Sequence, residues 1–225
     1  MPRERFEQEL RRLAGRVLEL GGLAETALRD SVSALERQDI QRARALIEAD
    51  HRINLLRFDL EHESLMIIAT QQPVAGDLRA LAAVFEIGTE LERIADYAKG
   101  IATITVAIGT GPRISPPEGL ARMAELACSM LRRSLQAYVE ADARQAAAIP
   151  EEDNQVDELY EEVYRQLMGR LMVDPRDVDQ ALRLTWVAHN LERVADRVGN
   201  ICERVVFWVT GTMEEMTDDS GPHRT

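Results

Sequence analysis

One eleven-residue segment occurs twice in this chain. Leu91–Ile101 reads LERIADYAKGI and Leu191–Ile201 reads LERVADRVGNI, identical at six of eleven positions with an offset of 100. The apolar stripe keeps the same offset: Val84, Ile87, Leu91, Ile94 and Ile101 correspond to Leu184, Val187, Leu191, Val194 and Ile201. Upstream the offset becomes 103, where Leu28, Ser31, Asp39, Ile53 and Leu56 meet Leu131, Ser134, Asp142, Val156 and Leu159. The three-residue change falls in a loop, where added length costs little closure entropy. A duplicated unit of about 100 residues is too long for a TPR or armadillo repeat, and two copies are too few for a solenoid.

Within each copy the period is helical. Apolar residues recur at three and four from Leu10 through Leu13, Val17, Leu20, Ala24, Ala27 and Leu35, which keeps one helix face apolar. Gly15, Gly21 and Gly22 weaken this first helix, each by roughly 1 kcal/mol against Ala, and a bend near the Gly pair is expected. Asp39 caps a second helix reaching about Thr70, where Pro73 stops it. The third helix runs from Gly76–Asp77 to Ile108. A fourth spans Glu118 to about Glu140. The fifth, Asp142 to about Met172, is kinked or split by Pro150. Asp174–Pro175 starts the sixth, which ends near Val209. The expected fold is all-α: two tandem three-helix bundles related by internal repeat. They occupy residues 1–109 and 118–210, joined by an exposed Gly- and Pro-rich linker at 110–117 and followed by a flexible tail at 211–225.

The formal net charge of −12 argues against nucleic acid as a partner, because phosphate backbones require Lys and Arg. Two cysteines, Cys128 and Cys202, make no disulfide framework and read as buried thiols of a reducing compartment. The start, MPRERFEQEL, lacks the apolar stretch of a signal peptide, and no apolar run reaches the roughly 18 residues that span a bilayer. A cytoplasmic protein without direct membrane insertion is expected.

Chemistry is offered by carboxylates. Each third helix holds Glu–x–x–x–Asp, as Glu92/Asp96 and Glu192/Asp196, with both side chains on one face. Like charges so spaced cost a few tenths of a kcal/mol, so a chain that repeats them can be accommodating a cation. The helical wheel places them outside the apolar stripe, as surface groups. The preceding helix adds Asp153/Asp157, whose first-half counterpart is Asp50/Asn54. Asp50 and Asn54 lie 22 and 18 residues before Gln72, and Glu92 and Asp96 lie 20 and 24 after it. In an antiparallel hairpin the two pairs therefore stand level, and the second half matches in the same way. A shallow surface cluster of oxygens in each half is expected, suited to Mg²⁺, Mn²⁺ or iron rather than zinc. Asn54 leaves the first cluster one carboxylate short. Arg93 and Arg193 adjoin the motifs and can neutralise part of the charge. His189, three residues before Glu192, can join the second cluster; His51, His62 and His223 read as solvated. No catalytic nucleophile or phosphate-binding loop has a setting. Exposed acids kept for solubility, on a metal-free helical scaffold, are the alternative. A ferritin-like di-metal oxidoreductase is disfavoured, because Glu–x–x–His occurs once, at Glu48–His51, without a second copy.

The duplicated LER[IV]AD, the QQPVAGDLR run at Gln71–Arg79 and HNLERVADRVGNICERV at His189–Val205 resemble the PhoU family, over roughly Phe6 to Thr210. That family usually shows Gly where Ala95 and Ala195 stand, and Lys99–Gly100 replaces an Asn region that Asn200–Ile201 retains. The resemblance implies a non-enzymatic negative regulator of phosphate uptake and of the phosphate-starvation response. It implies a cytoplasmic adaptor, peripheral to the membrane through its partners. Those partners are the ATPase subunit of the phosphate ABC transporter and a sensor histidine kinase, and a homodimer is expected. It also implies metal on the acidic motifs, with Glu92, Asp96, Glu192, Asp196, Asp153, Asp157, Asp50 and Asn54 as ligand candidates.

Overall fold

A computed structural model of the chain describes residues 2–111 and 114–212. Three long helices make the first half: α1 Pro2–Arg37, α2 Ile40–Gln71 and α3 Gly76–Ile108. The second half has α4 Glu118–Glu140, a short α5 Ala143–Ala148, α6 Asp153–Val173 and α7 Val178–Thr210. Pro150 opens a 3₁₀ turn that splits α5 from α6, the second of the two outcomes expected of it. The last long helix enters later than the Asp174–Pro175 signal suggests. Pro175–Asp177 form a 3₁₀ turn, and the Asp174 carboxylate caps that turn by accepting from Arg176 N at 3.0 Å. The first helix starts earlier than Leu10 and runs through its glycines unbroken. Most of the expected flexible tail, from residue 213, lies outside the described residues.

The repeat holds at the level of single bonds. Asp39 accepts from Arg42 N at 2.8 Å to cap α2, and Asp142 accepts from Gln145 N at 3.0 Å to cap α5. The Ser31 hydroxyl donates to Leu28 O and the Ser134 hydroxyl to Leu131 O, both at 2.8 Å. Such bonds let a polar residue sit fully buried in each bundle.

α1, α3, α4 and α7 form the centre, with α2 flanking α1 and α3 on one side and α6 flanking α4 and α7 on the other. One contiguous apolar core runs through both halves. The halves meet along α3 and α7, which run antiparallel. Arg204 Nε reaches Glu86 Oε2 at 2.6 Å, Asn200 Nδ2 donates to Glu90 Oε2 at 3.2 Å, and the Arg193 guanidinium faces Tyr97. A Cβ on Gly100 would lie 3.0 Å from Asn190 Nδ2. Each step forward on α3 is a step back on α7. This register brings Ala95 level with Ala195, both buried, about a local two-fold axis. The buried Glu90 carboxylate is held at this interface by Arg93 as well, at 3.0 Å.

The second inter-half contact is α1 on α4. Gly21 is buried there, and a Cβ on it would come within 2.3 Å of Leu135 Cδ1. The residue that weakens α1 as a helix therefore lets α4 approach. The linker is also less exposed than its composition suggests. Ile114 is buried, and Gln180 clasps its backbone by accepting from its N–H at 3.2 Å and donating to its carbonyl at 2.9 Å. Residues 112 and 113 lie outside the described residues.

Gly21→Val is expected to destabilise the protein by about 1–3 kcal/mol through overpacking, with Leu135→Ala in the same chain recovering part of the loss. Gly15→Ala, where nothing lies within 4 Å, is expected to stabilise by about 0.5–1 kcal/mol. Denaturant midpoints of the variants check both signs.

Candidate metal centre

The Glu–x–x–x–Asp pairs sit on the faces of α3 and α7 turned away from the local two-fold and toward the flanking helices. In the second half, α6 begins at Asp153, directly after the 3₁₀ turn. That start puts Asp153 and Asp157, one turn apart, against Glu192 and Asp196 of α7. The four carboxylates are close enough to disturb one another. Burial first, then the negative charges of Asp157, Asp196 and Glu192, pushes the Asp153 carboxyl up to about 7. Burial and then Asp196 and Asp157 push Glu192 up to about 7 as well, against a smaller opposing pull from Arg193. Asp157 is raised by burial and by Asp196. Asp153 Oδ1 and Glu192 Oε2 are buried without a hydrogen bond. His189 Nδ1 lies 3.0 Å from that Oε2 without bonding to it, and burial beside Arg193 lowers the imidazole's proton affinity. Arg193 binds Asp196 at 3.0 Å and is the cation that touches the cluster. Buried orphan oxygens in a cluster of like charges are the donor set a hard cation uses.

The first half has the same frame and different electrostatics. Asp50, Asn54, Glu92 and Asp96 come together as the loop counting predicts. Asp50 is only 5% exposed. Its Oδ2 accepts from Lys99 Nζ at 2.7 Å and from Asn54 Nδ2 at 3.2 Å. The same ammonium stands 3.7 Å from Asp96 Oδ1. Arg57, one turn beyond Asn54, faces Glu92 and pairs with Glu61. Glu92 is raised by burial and by Asp96, but Arg57 pulls it back. Arg93 turns toward Glu90 for its hydrogen bond.

One expectation needs correction in part. Asp96 and Asp157 are exposed as expected, but Asp50 is buried and Asp153, Glu92 and Glu192 are half-buried, since a wheel drawn for one helix ignores the neighbour laid over it. Among the described residues no group of three or more His, Cys, Asp or Glu side chains is arranged to hold an ion. Lys99, Arg57, Tyr160 and Tyr97 were missed by sequence reasoning. Lys99 had a signal, its i, i+3 spacing from Asp96. Glu48 and His51, the lone ferritin-like fragment, are exposed on α2 and do not enter the core. Cys128 and Cys202 are free and buried, and burial pushes their thiols up to about 11 and about 12, so they are poor nucleophiles. No described helix is long and apolar enough to cross a membrane.

Comparison with known proteins places this geometry in context. The PhoU domain model matches twice, at residues 17–105 and 120–205, one match per half. The phosphate-specific transport system accessory protein PhoU homolog of Caulobacter vibrioides is 34% identical over 213 residues, 94% of this chain and 92% of that protein. The crystal structure of the phosphate transport system regulatory protein PhoU from Streptococcus pneumoniae superposes with a TM-score of 0.86 at 30% identity. It covers 93% of this chain and 99% of that one. The crystal structure of PhoU from Pseudomonas aeruginosa gives 0.85 at 31% identity, covering 92% and 100%.

A carboxyl raised in the folded state binds its proton more tightly there than in the unfolded chain. Its contribution to stability is therefore full below the ordinary carboxylate range and is lost as pH climbs to about 7. Partial exposure, and the α6 N-terminus that favours an anion at Asp153, reduce the effect. In chelator, raising the pH from 4.5 to 8 is expected to cost about 1–2 kcal/mol, roughly 2–6 °C in Tm, relative to Asp153→Asn plus Glu192→Gln. Parallel melts of the two proteins across that range check it.

Proposed function

The chain belongs to the PhoU family, and on that basis we propose that it is a regulatory accessory protein of a phosphate-specific transport system. In this reading it restrains phosphate uptake and holds the phosphate-starvation response off when phosphate is plentiful. It acts as an adaptor between the ATPase subunit of the transporter and a sensor histidine kinase, on the cytoplasmic side of the membrane, and not as an enzyme. The observation that carries the reading is the PhoU domain in both halves, together with relatives that match over nine-tenths of both chains.

The adaptor role has a physical basis in charge. A net charge of −12 gives the protein an acidic field, and the second-half cluster concentrates part of it in orphaned oxygens. A divalent cation such as Mg²⁺, Mn²⁺ or Fe²⁺ bound there would supply compensating positive charge. Asp153, Asp157, Glu192 and Asp196 would hold it, with His189 beside Glu192 and Arg193 steadying Asp196. All four ligands come from α6 and α7, so binding would tie these helices together and fix the face they present. A metal-free scaffold, with the acids kept for solubility, is the second reading.

The homodimer has support in α2, where Leu55, Phe58 and Leu65 leave one face exposed and apolar. Light scattering is expected to give twice the chain mass of 25.3 kDa, and a single-chain mass at micromolar concentration would contradict a stable dimer.

Calorimetric titration of tag-free protein with Mg²⁺, Mn²⁺ and Fe²⁺ is expected to release heat that Glu192→Ala plus Asp196→Ala abolishes. Heats unchanged by that pair would remove them as ligands, and elemental analysis decides between the metal-bound and metal-free readings. The adaptor role predicts co-purification with the transporter ATPase and the histidine kinase. Deletion of the gene is expected to raise phosphate uptake and to switch on the starvation response in phosphate-rich medium.

A further inference from the structure

The internal repeat allows the two acidic clusters to be compared residue by residue; beside the exchange of Thr89 for His189, three differences change the charge. Asn54 stands where the second half has Asp157, Arg57 where it has Tyr160, and Lys99 where it has Gly199. All three differences act in the same direction. One removes a carboxylate, and two add a cation. They also act at one spot. Lys99 Nζ bonds to Asp50 Oδ2 at 2.7 Å and lies 3.7 Å from Asp96 Oδ1, so a single ammonium bridges the carboxylates of α2 and α3. Arg57 faces Glu92 from α2. In the second half Gly199 has no side chain to offer and Tyr160 is neutral, and Arg193 binds Asp196 of its own helix and does not bridge α6 and α7 as Lys99 bridges α2 and α3.

We propose that Lys99 is a built-in cation: its ammonium takes the place that a divalent ion would occupy in the first-half cluster, so that only the second-half cluster takes metal. The inference rests on the metal-binding reading given under Proposed function, and it assigns that binding to one half. The physics is competition for the same oxygens. An ion entering between Asp50 and Asp96 must displace the ammonium, and Asp50 is too deeply buried to be left to water alone. The displaced charge would remain a few ångströms from the ion and repel it. In the second half Asp153 Oδ1 and Glu192 Oε2 are buried without a hydrogen bond; in the first half Asp50 Oδ1 is buried unbonded as well, but Lys99 stands on the same carboxylate. The first half would then be held shut at all metal concentrations, and the second half would respond to metal. A duplicated fold thereby yields one constitutive unit and one responsive unit.

The test uses the full chain and Mn²⁺, followed by calorimetry, with circular dichroism to confirm folding. In the native chain all the heat is expected to disappear with Asp153→Asn plus Glu192→Gln and to survive Asp50→Asn plus Glu92→Gln. Lys99→Gln is expected to create a second set of heats that requires Asp50, whereas Lys99→Arg, which keeps the charge, is expected not to. Asn54→Asp, Arg57→Tyr and Lys99→Gln together are expected to strengthen that second set about 10–100-fold over Lys99→Gln alone, in the range by which neighbouring groups tune metal sites. Melting gives an independent readout: Lys99→Gln is expected to lower Tm, and Mn²⁺ is expected to restore it only while Asp50 is present. Native heat that is halved by Asp50→Asn plus Glu92→Gln would overturn the inference and leave metal binding intact. So would a folded Lys99→Gln chain whose heats match the native ones. No heat in the native chain or in any variant would overturn the metal-binding reading itself, and this inference with it.

Discussion

Two helices carrying the same motif pack antiparallel against each other, and they can do so because the motif places an alanine at the crossing. Ala95 and Ala195 are both buried where α3 and α7 come level, and a larger pair of side chains would hold the backbones apart. That contact orients everything else. It turns Leu91, Ile94 and Ala98 and their counterparts into one shared core. It leaves Glu92, Asp96, Glu192 and Asp196 facing outward, where α2 and α6 cover them with further carboxylates. Glu90 and Asn200 add a polar lock across the interface. The clusters are thus set by helix packing, not by loops, and they inherit its rigidity.

Charge then separates halves that geometry makes alike. Partly burying carboxylates beside one another is unfavourable unless a counter-charge is present. The first half supplies its own, with Lys99 on Asp50 and Arg57 facing Glu92. Both halves bury an unbonded carboxylate oxygen, on Asp50 in the first and on Asp153 and Glu192 in the second, and in the second half the proton affinity of both carboxyls is raised. Such a site can be satisfied by protons at low pH or by a cation near neutrality. A regulator built this way can couple ion binding to the relation of α6 and α7, while its other half keeps the fold in place.

Much of this was legible in the residues because helices are periodic and the repeat supplies a second copy to check against. The caps at Asp39 and Asp142, the break at Pro150, and the level pairing of Asp50 with Glu92 and of Asp153 with Glu192 all follow from counting. Depth does not. Asp50 is buried because α2 lies over α3, a fact absent from either helix alone. Gly21 reads as a weak point until α4 brings Leu135 against it. Ile114 reads as exposed linker until Gln180 is seen to satisfy its backbone. The family was legible from LER[IV]AD and its flanks, and the domain matches and relatives bear it out. What decides between the two clusters, Lys99 against Gly199, sits inside the repeated motif and was visible only as a mismatch.

The central claim is that equivalent acidic clusters in one chain have different occupants, an ammonium in the first half and a metal ion in the second. The most direct measurement is the anomalous scattering of Mn²⁺ in crystals of the full chain. The account predicts an anomalous peak among Asp153, Asp157, Glu192 and Asp196, with Lys99 still seated on Asp50 and no peak beside it. A peak of equal height between Asp50 and Asp96 with Lys99 swung away, or no peak in either half at millimolar Mn²⁺, would contradict it.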